Sequence, residues 1–215
     1  MKLDISSAVR FPDGEQAGVI NQVVFDPDSA SVHEIVLETP DLVGRTILVP
    51  VALLREDPGE VLTFDGDRDT LAALPDYEVA EIPVAPEDWQ PEDNYAPGED
   101  LQPPYPASPM QPVMEESNAP EGTVVWGAEA VIACTDGPYG RLDQVLIDPD
   151  GAVNHLVVRP DGDPTNRRLV PIALVSEADT QLVQLSCADA EMRDVTQPYS
   201  DPLGEPEVDS LAPSS

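Results

Sequence analysis

An internal duplication is the feature that most constrains the fold of this chain. The segment GVINQVVFDPD at 18–28 aligns without a gap with GRLDQVLIDPD at 140–150, an offset of 122 residues (140 − 18). Downstream, ILVPVALL at 47–54 aligns with RLVPIALV at 168–175, an offset of 121 (168 − 47). Two blocks in the same order at nearly the same spacing indicate that one unit occurs twice. Each copy has the size of a small domain, and mutual packing as a pseudo-dimer would stabilise both, although the sequence leaves open whether they touch.

Within each copy the apolar residues follow the period of β-strands. A β-branched run ends at the turn Asp26-Pro27-Asp28, and its counterpart ends at a turn over 148–151, so each copy begins with a hairpin. A short helical turn is predicted over 69–74, with Asp69 or Thr70 as its N-cap, and a weaker counterpart over 188–192. The predicted strands cover residues 18–26, 32–38, 46–49 and 61–64 in the first copy, and 142–147, 153–159, 168–170 and 182–186 in the second. The predicted fold class is all-β, as two small barrels in tandem, each with a short terminal helical turn.

Composition divides the chain into four parts. The predicted domains are repeat 1 over 1–81, a proline-rich acidic linker over 82–122, repeat 2 over 123–197, and a disordered tail over 198–215. The linker cannot build a core, yet four large apolar or aromatic side chains punctuate it. These are candidate partner-docking residues, with a plain spacer as the alternative: Trp89, Tyr95, Tyr105 and Met110.

The charge balance excludes one class of partner. With 42 acidic and 10 basic residues the formal net charge is −32, which would repel a phosphate backbone, so we expect no direct binding of nucleic acid. The acidity fits a solubilising surface, an adaptation to high salt, or steering toward a basic partner. We therefore expect a protein partner with a basic surface.

Cellular location is predicted from absences in the sequence. The N-terminal region has no apolar stretch typical of a secretory signal, and no stretch of the chain has the length and apolar character of a transmembrane helix. The two cysteines, Cys134 and Cys187, have neither CxxC spacing nor a nearby histidine pattern. We interpret them as buried free thiols, with a disulfide and then a metal site as alternatives. A cytoplasmic location is predicted.

No set of residues predicts catalysis, a cofactor or a metal. His33 and His155 do not occupy equivalent positions in the two copies, because an offset of 121 pairs His33 with Asn154. The acidic run from Asp65 to Asp76 imitates a calcium loop, but Thr70 stands where the loop needs glycine. We expect a capped turn there and no enzyme activity.

Each copy resembles the PRC-barrel domain, a family named for the cytoplasmic H subunit of the photosynthetic reaction centre. The resemblance rests on the glycine-led first hairpin (18–26 and 140–148), on HLVVRP at 155–160, on the LVP-containing stretch, and on LAALPDY at 71–77. It covers about 150 residues and excludes the linker and the tail. It implies small β-barrels that are used for protein contacts.

The function expected from these observations is that of a non-catalytic protein-binding or assembly module. The resemblance implies docking on the cytoplasmic side of a membrane complex of the photosynthetic type. One alternative is a ribosome-maturation or RNA-processing accessory protein that acts through a ribosomal protein. Another is a cytoplasmic protein related to stress or high salt. Because the basic residues, histidines and cysteines do not repeat, we expect two different binding faces.

Overall fold

The computed structural model describes residues 1–40, 44–57, 61–83, 113–163 and 165–200. Most of these residues lie in β-strands, which form curled sheets with a few short helical segments, so the all-β prediction is confirmed. The chain divides into a large unit, made of 1–77 and 119–215, and a small one, made of 78–118.

The large unit contains both copies of the duplication, which show the same order of elements. The first repeat consists of β1 (Lys2–Asp4), β2 (Ala8–Arg10), β3 (Gln16–Asp26), β4 (Ser31–Glu38), β5 (Thr46–Pro50), a 3-10 turn (Val51–Leu53), β6 (Leu54–Asp57), β7 (Val61–Phe64) and α1 (Arg68–Ala72). The small unit follows with β8 (Val79–Pro83) and β9 (Val113–Ser117). The second repeat consists of β10 (Val124–Gly127), β11 (Val131–Cys134), β12 (Gly137–Ile147), β13 (Val153–Pro160), β14 (Arg168–Pro171), a 3-10 turn (Ile172–Leu174), β15 (Val175–Ala178), β16 (Leu182–Leu185), a 3-10 turn (Asp189–Glu191), α2 (Met192–Val195) and β17 (Gln197–Pro198).

The two repeats build sheets of the same topology. The first sheet has the order β5-β4-β3-β2-β7-β6, and the second has the equivalent order β14-β13-β12-β11-β16-β15, with β17 added beside β14. In both, the pairing that joins the hairpins is parallel, between β2 and β7 and between β11 and β16. Bulges at equivalent places in β3 and β12 bend these long strands.

The repeats exchange their first strands. β1, from the first repeat, pairs with β12, and β10, from the second, pairs with β3. Along one edge, each of the long strands therefore pairs with two short strands, one from its own repeat and one from the other. For β3 these are β2 and β10, and for β12 they are β11 and β1. Leu3 lies opposite Val145 and Trp126 lies opposite Val23, and all four side chains are buried. The two repeats therefore touch and pack together in one unit, which the sequence left open.

The tips of the two first hairpins also bond to each other. Val32 N donates to Gly151 O at 2.9 Å, and Val153 N donates to Ala30 O at 2.8 Å. These two bonds are related by the repeat, since Val32 corresponds to Val153 and Ala30 to Gly151. Both Ala30 (φ 50°) and Gly151 (φ 88°) have the left-handed backbone that the turn requires. The predicted turn chemistry is confirmed, because the Asp26 and Asp148 carboxylates accept backbone N–H groups of their own turns.

The larger hydrophobic cluster includes buried residues of both repeats, and on β4 and β5 its members lie at alternate positions, such as Ile35 and Leu37. The positions between them are buried as well, because a smaller cluster consists of Val24, Val36, Leu48 and Val125. Gly18 and Gly140 occupy equivalent places where neighbouring strands approach closely, since a Cβ at Gly140 would lie 2.2 Å from Arg159 O. At Gly18 the corresponding contact would be 2.6 Å, to Glu38 O. The hairpin glycine that both copies share is therefore explained by this close approach.

Two details differ from the sequence-based expectations. The N-cap of α1 is Asp67, whose carboxylate accepts a hydrogen bond from Thr70 N at 2.8 Å, and not Asp69 or Thr70. Three acidic or hydroxyl residues compete for this role within one turn, so sequence alone did not separate them. Strands β1, β2, β6, β8–β11, β15 and β17 were not predicted. Among the described residues, no helix has the length and apolar character needed to cross a membrane.

The described residues of the small unit form a two-stranded antiparallel ribbon. β8 and β9 pair from Val79 opposite Ser117 to Pro83 opposite Val113. Asn118 Oδ1 accepts a hydrogen bond from Glu78 N at 2.9 Å, and Asn118 N donates to Glu78 O at 3.2 Å. The ribbon overlaps both ends of the predicted linker, so residues 84–112 connect two paired strands.

Candidate functional site

Each repeat has an open cleft at the same place, between the loop that precedes β5 or β14 and the terminal helix. The cleft of the first repeat, called here the first cleft, has a volume of about 340 Å³. The second cleft, in the second repeat, has a volume of about 380 Å³. Both are large enough to receive a side chain or a short peptide segment.

The two clefts are lined at matching positions of the duplicated scaffold, but by different residues. At the offsets of 121 and 122, nine lining positions correspond. The pairs, first cleft before second, are Gln16 and Pro138, Ala17 and Tyr139, Thr39 and Pro160, Pro40 and Asp161, Arg45 and Asn166, Ile47 and Arg168, Arg68 and Asp189, Leu71 and Met192, and Ala72 and Arg193. The side-chain charge is reversed between Arg68 and Asp189, and a charge is lost or gained at four other pairs. Leu71 and Met192 are both apolar. The clefts are equivalent in place and unlike in chemistry.

In the first cleft both arginines are held by the protein's own acids. Arg68 Nη2 donates to Asp13 at 3.2 Å and to Glu15, while its guanidinium lies over the Phe11 ring at 4.9 Å. The pKa of Asp13 is lowered, first by the hydrogen bond from Glu15 N and also by Arg68. These groups are exposed, so their pairing contributes little to stability.

Arg45 closes the other side of the first cleft. Its guanidinium bonds Asp76 and donates to Ala72 O and Leu74 O, each at 3.2 Å. Ala72 is the last residue of the short helix α1 and Leu74 follows its C-cap, so neither carbonyl has a partner inside the helix. Arg45 therefore caps the C-terminal end of α1, and Asp76 balances its charge.

In the second cleft a buried arginine has the same capping role from a different position. Arg168 is 8% exposed and occurs where the first repeat has the core residue Ile47. Its Nε donates to Thr196 Oγ1 at 2.9 Å, and its Nη2 donates to Thr196 O at 2.9 Å and Arg193 O at 3.2 Å. None of the ion pairs among the described residues involves Arg168. Its charge is stabilised by hydroxyl and carbonyl dipoles.

The rim of the second cleft mixes both signs of charge. Arg193, Asp161 and Asp189 are exposed there, and Tyr139 is half-buried beside them. Burial raises the pKa of the Tyr139 hydroxyl, and the nearby Arg168 opposes this rise. The neutral hydroxyl can donate or accept a hydrogen bond across the physiological pH range.

The candidate docking residues Trp89, Tyr95, Tyr105 and Met110 lie outside the described residues. They belong to the segment that joins β8 to β9. The predicted buried thiols are found as expected, since Cys134 and Cys187 are both free and buried.

The histidines line neither cleft, whereas the acidic run from Asp65 to Asp76 contributes Arg68, Asp69, Leu71 and Ala72 to the first cleft. His33 Nε2 is 2.8 Å from Ser31 Oγ on β4, and His155 lies on β13 in the other sheet. Asp67 is occupied as the helix cap. Among the described residues, no group of three or more His, Cys, Asp or Glu side chains is arranged to hold a metal ion.

Sequence reasoning did not predict the clefts. A usable signal was present in the alignment of the copies, at positions where a core residue changes into a charged one. Ile47 against Arg168 is such a position, and Arg68 against Asp189 adds a reversal of charge. A scan against protein-family models and a search of the curated proteins find no match to this chain.

Proposed function

We propose that this chain is a non-catalytic protein-binding module that docks on a basic surface of a protein partner. In this proposal each repeat is a barrel of the PRC type, and the two clefts are its main contact points. The observation that carries it is the unlike chemistry of two clefts at matching positions. A duplicated catalytic site would keep its reactive residues, whereas two binding faces are free to diverge.

The charge of the partner follows from the ion pairs. Six arginines are engaged by the chain's own carboxylates: Arg45, Arg55, Arg68, Arg141, Arg159 and Arg167. With 42 acidic against 10 basic residues, these pairs leave a large acidic excess. Such a surface attracts a basic partner, speeds its encounter and repels acidic competitors.

The segment between β8 and β9 adds a further contact in this proposal. Because β8 and β9 pair, residues 84–112 leave and return at one place, while the repeats are joined directly by strand exchange. The segment is thus not required to space the repeats. In this proposal its aromatic residues contact the partner.

The test is affinity capture from native extract with the full-length chain and three variants. Asp69→Lys changes the first cleft, Asp161→Lys changes the second, and Glu121→Lys is the matched control, since Glu121 is exposed and lines neither cleft. We expect one protein to be retained at low salt and released as salt increases. At least one cleft variant should lose about ten-fold or more of this capture, corresponding to about 1.4 kcal/mol, while the control retains it.

Two outcomes would contradict the proposal. One is equal capture by all four proteins, which would place the contact elsewhere. The other is a chain that captures nothing at any salt concentration and unfolds when salt is removed, which would assign the acidity to high-salt adaptation.

A further inference from the structure

Both cysteines of the chain lie together in the core of the second repeat. Cys134 ends β11, Cys187 follows β16, and they are 2% and 6% exposed. β11 and β16 run parallel, and Thr135 N donates to Cys187 O at 3.0 Å. This bond holds the two cysteine backbones side by side, and both side chains point into the same cluster.

The duplication shows that these sulfur atoms are not needed to fill the core. The equivalent positions in the first repeat, at offsets of 123 and 121, hold Phe11 and Gly66. A third sulfur completes the group, because Cys187 Sγ lies 3.4 Å from Met192 Sδ, where the first repeat has Leu71. The only two cysteines among 215 residues therefore lie in one core cluster, in a scaffold whose first repeat folds without them.

We propose that Cys134 and Cys187 are a modification site, at which a reversible intramolecular disulfide forms by exchange with a small-molecule disulfide. The two thiols lose their protons, one Sγ–Sγ bond forms, and the S–S bond of the oxidant breaks. The oxidant takes up the two electrons and the two protons and leaves as two thiols. The inference does not depend on the proposed docking function.

The position of the thiols determines how the reaction proceeds. Burial raises the pKa of Cys134 to about 12, and Cys187 contributes further, so the closed protein holds little thiolate. The attacking group in such an exchange is the thiolate. Exchange therefore proceeds through local opening of the segment made of Asp189–Glu191 and α2, whose Met192 contacts Cys187.

The disulfide would restrain one wall of the second cleft. It joins the end of β11 to the chain just before Asp189, and the segment that follows carries Met192 and Arg193 to the cleft. A cross-link between positions 134 and 187 closes a long loop, which restricts the unfolded chain. The oxidised protein is expected to be more stable and its α2 segment to open less often.

The experiment uses the folded, reduced, full-length chain and oxidised glutathione as the oxidant. Intact mass, labelling of free thiols and peptide mapping identify the product. We expect the loss of two hydrogens per chain, one Cys134–Cys187 link, and full reversal by dithiothreitol. The oxidised form should have a higher thermal midpoint, and the backbone amides of 192–196 should exchange hydrogen more slowly.

The variants Cys134→Ser and Cys187→Ser distinguish the effect of the Cys134–Cys187 disulfide from the effect of any other oxidation of the chain. Treated in the same way, each should show neither the higher midpoint nor the slower exchange. Because the decisive product is formed by the unaltered chain, misfolding of a variant does not affect the conclusion. Two thiols that stay free under oxidant, glutathione adducts, or links between chains would each overturn the proposal.

Discussion

Phe25 of the first repeat stacks on Trp126 of the second, with ring centroids 4.1 Å apart and ring planes inclined by 18°. Phe25 belongs to β3, and Trp126 belongs to the exchanged strand β10. Both rings are buried, so the contact fastens a strand of one repeat to the sheet of the other. This stack is the largest aromatic element of the junction between the copies.

Truncation of Trp126 should therefore destabilise the whole large unit. We expect Trp126→Ala to lower the free energy of unfolding by about 3–5 kcal/mol, because it removes a buried ring and leaves a cavity. Chemical denaturation followed by circular dichroism measures this change. A double-mutant cycle with Phe25→Leu should give a coupling of about 0.5–1.5 kcal/mol, and a coupling of zero would contradict the stack.

The close approach at Gly140 predicts a large cost for one methyl group. We expect Gly140→Ala to destabilise by about 1–3 kcal/mol, because overpacking forces a shift of the neighbouring strand. Gly162→Ala is the matched control, since a Cβ there meets no atom within 4 Å. Thermal unfolding compares the two variants. Equal midpoints for them would show that β12 and β13 do not approach as described.

Arg168 should resist replacement by the residue that the first repeat uses. We expect Arg168→Ile to destabilise by about 1–3 kcal/mol, because the buried carbonyl of Thr196 and its neighbours lose their donor. Arg193→Ala, an exposed change on the same cleft, should stay within about 0.5 kcal/mol of the unaltered chain. Urea denaturation of both variants provides the comparison. A stabilised Arg168→Ile would mean that the buried charge costs more than its hydrogen bonds contribute.

The buried thiol predicts a loss of stability at alkaline pH. Burial raises the pKa of Cys134 from an ordinary value of 9.0 to about 12, so the unfolded chain releases this proton at a lower pH than the folded chain does. The stability due to the neutral thiol is complete below pH 9 and is lost as the pH rises toward 12. Under reducing conditions the unfolding midpoint should fall more steeply above pH 9 in the unaltered chain than in Cys134→Ala. Parallel curves would contradict this assignment.

The strands that local pattern could predict are those with long apolar runs bounded by strong turns. β3, β4 and β13 were expected almost to their ends, and β12 was expected at its C-terminal end but not over its first five residues. The ends of β3 and β12 were found because Asp26 and Asp148 begin turns that local chemistry specifies. β1 was missed because three residues carry no detectable period. Its position depends on pairing with β12, more than a hundred residues away in the chain.

The clefts could not be predicted from the sequence for the same reason, because their lining comes from residues far apart in the chain. The arginine that caps the terminal helix is Arg45 in one repeat and Arg168 in the other, and these are not equivalent positions. Only the folded chain shows that both guanidinium groups reach one equivalent carbonyl group, that of Ala72 in the first repeat and that of Arg193 in the second. The divergence between Ile47 and Arg168 was visible in the sequence, whereas its consequence was not.

The claim that two interlocked repeats form one cooperative unit is tested most directly by native-state hydrogen exchange of the variant Ile35→Ala. Ile35 is fully buried in the first repeat, and its loss should cost about 2–5 kcal/mol. Amides of Leu156 and Val157 in the second repeat should then lose protection by the same free energy as those of β4, because exchanged strands unfold together. Loss of protection confined to the first repeat would contradict this claim.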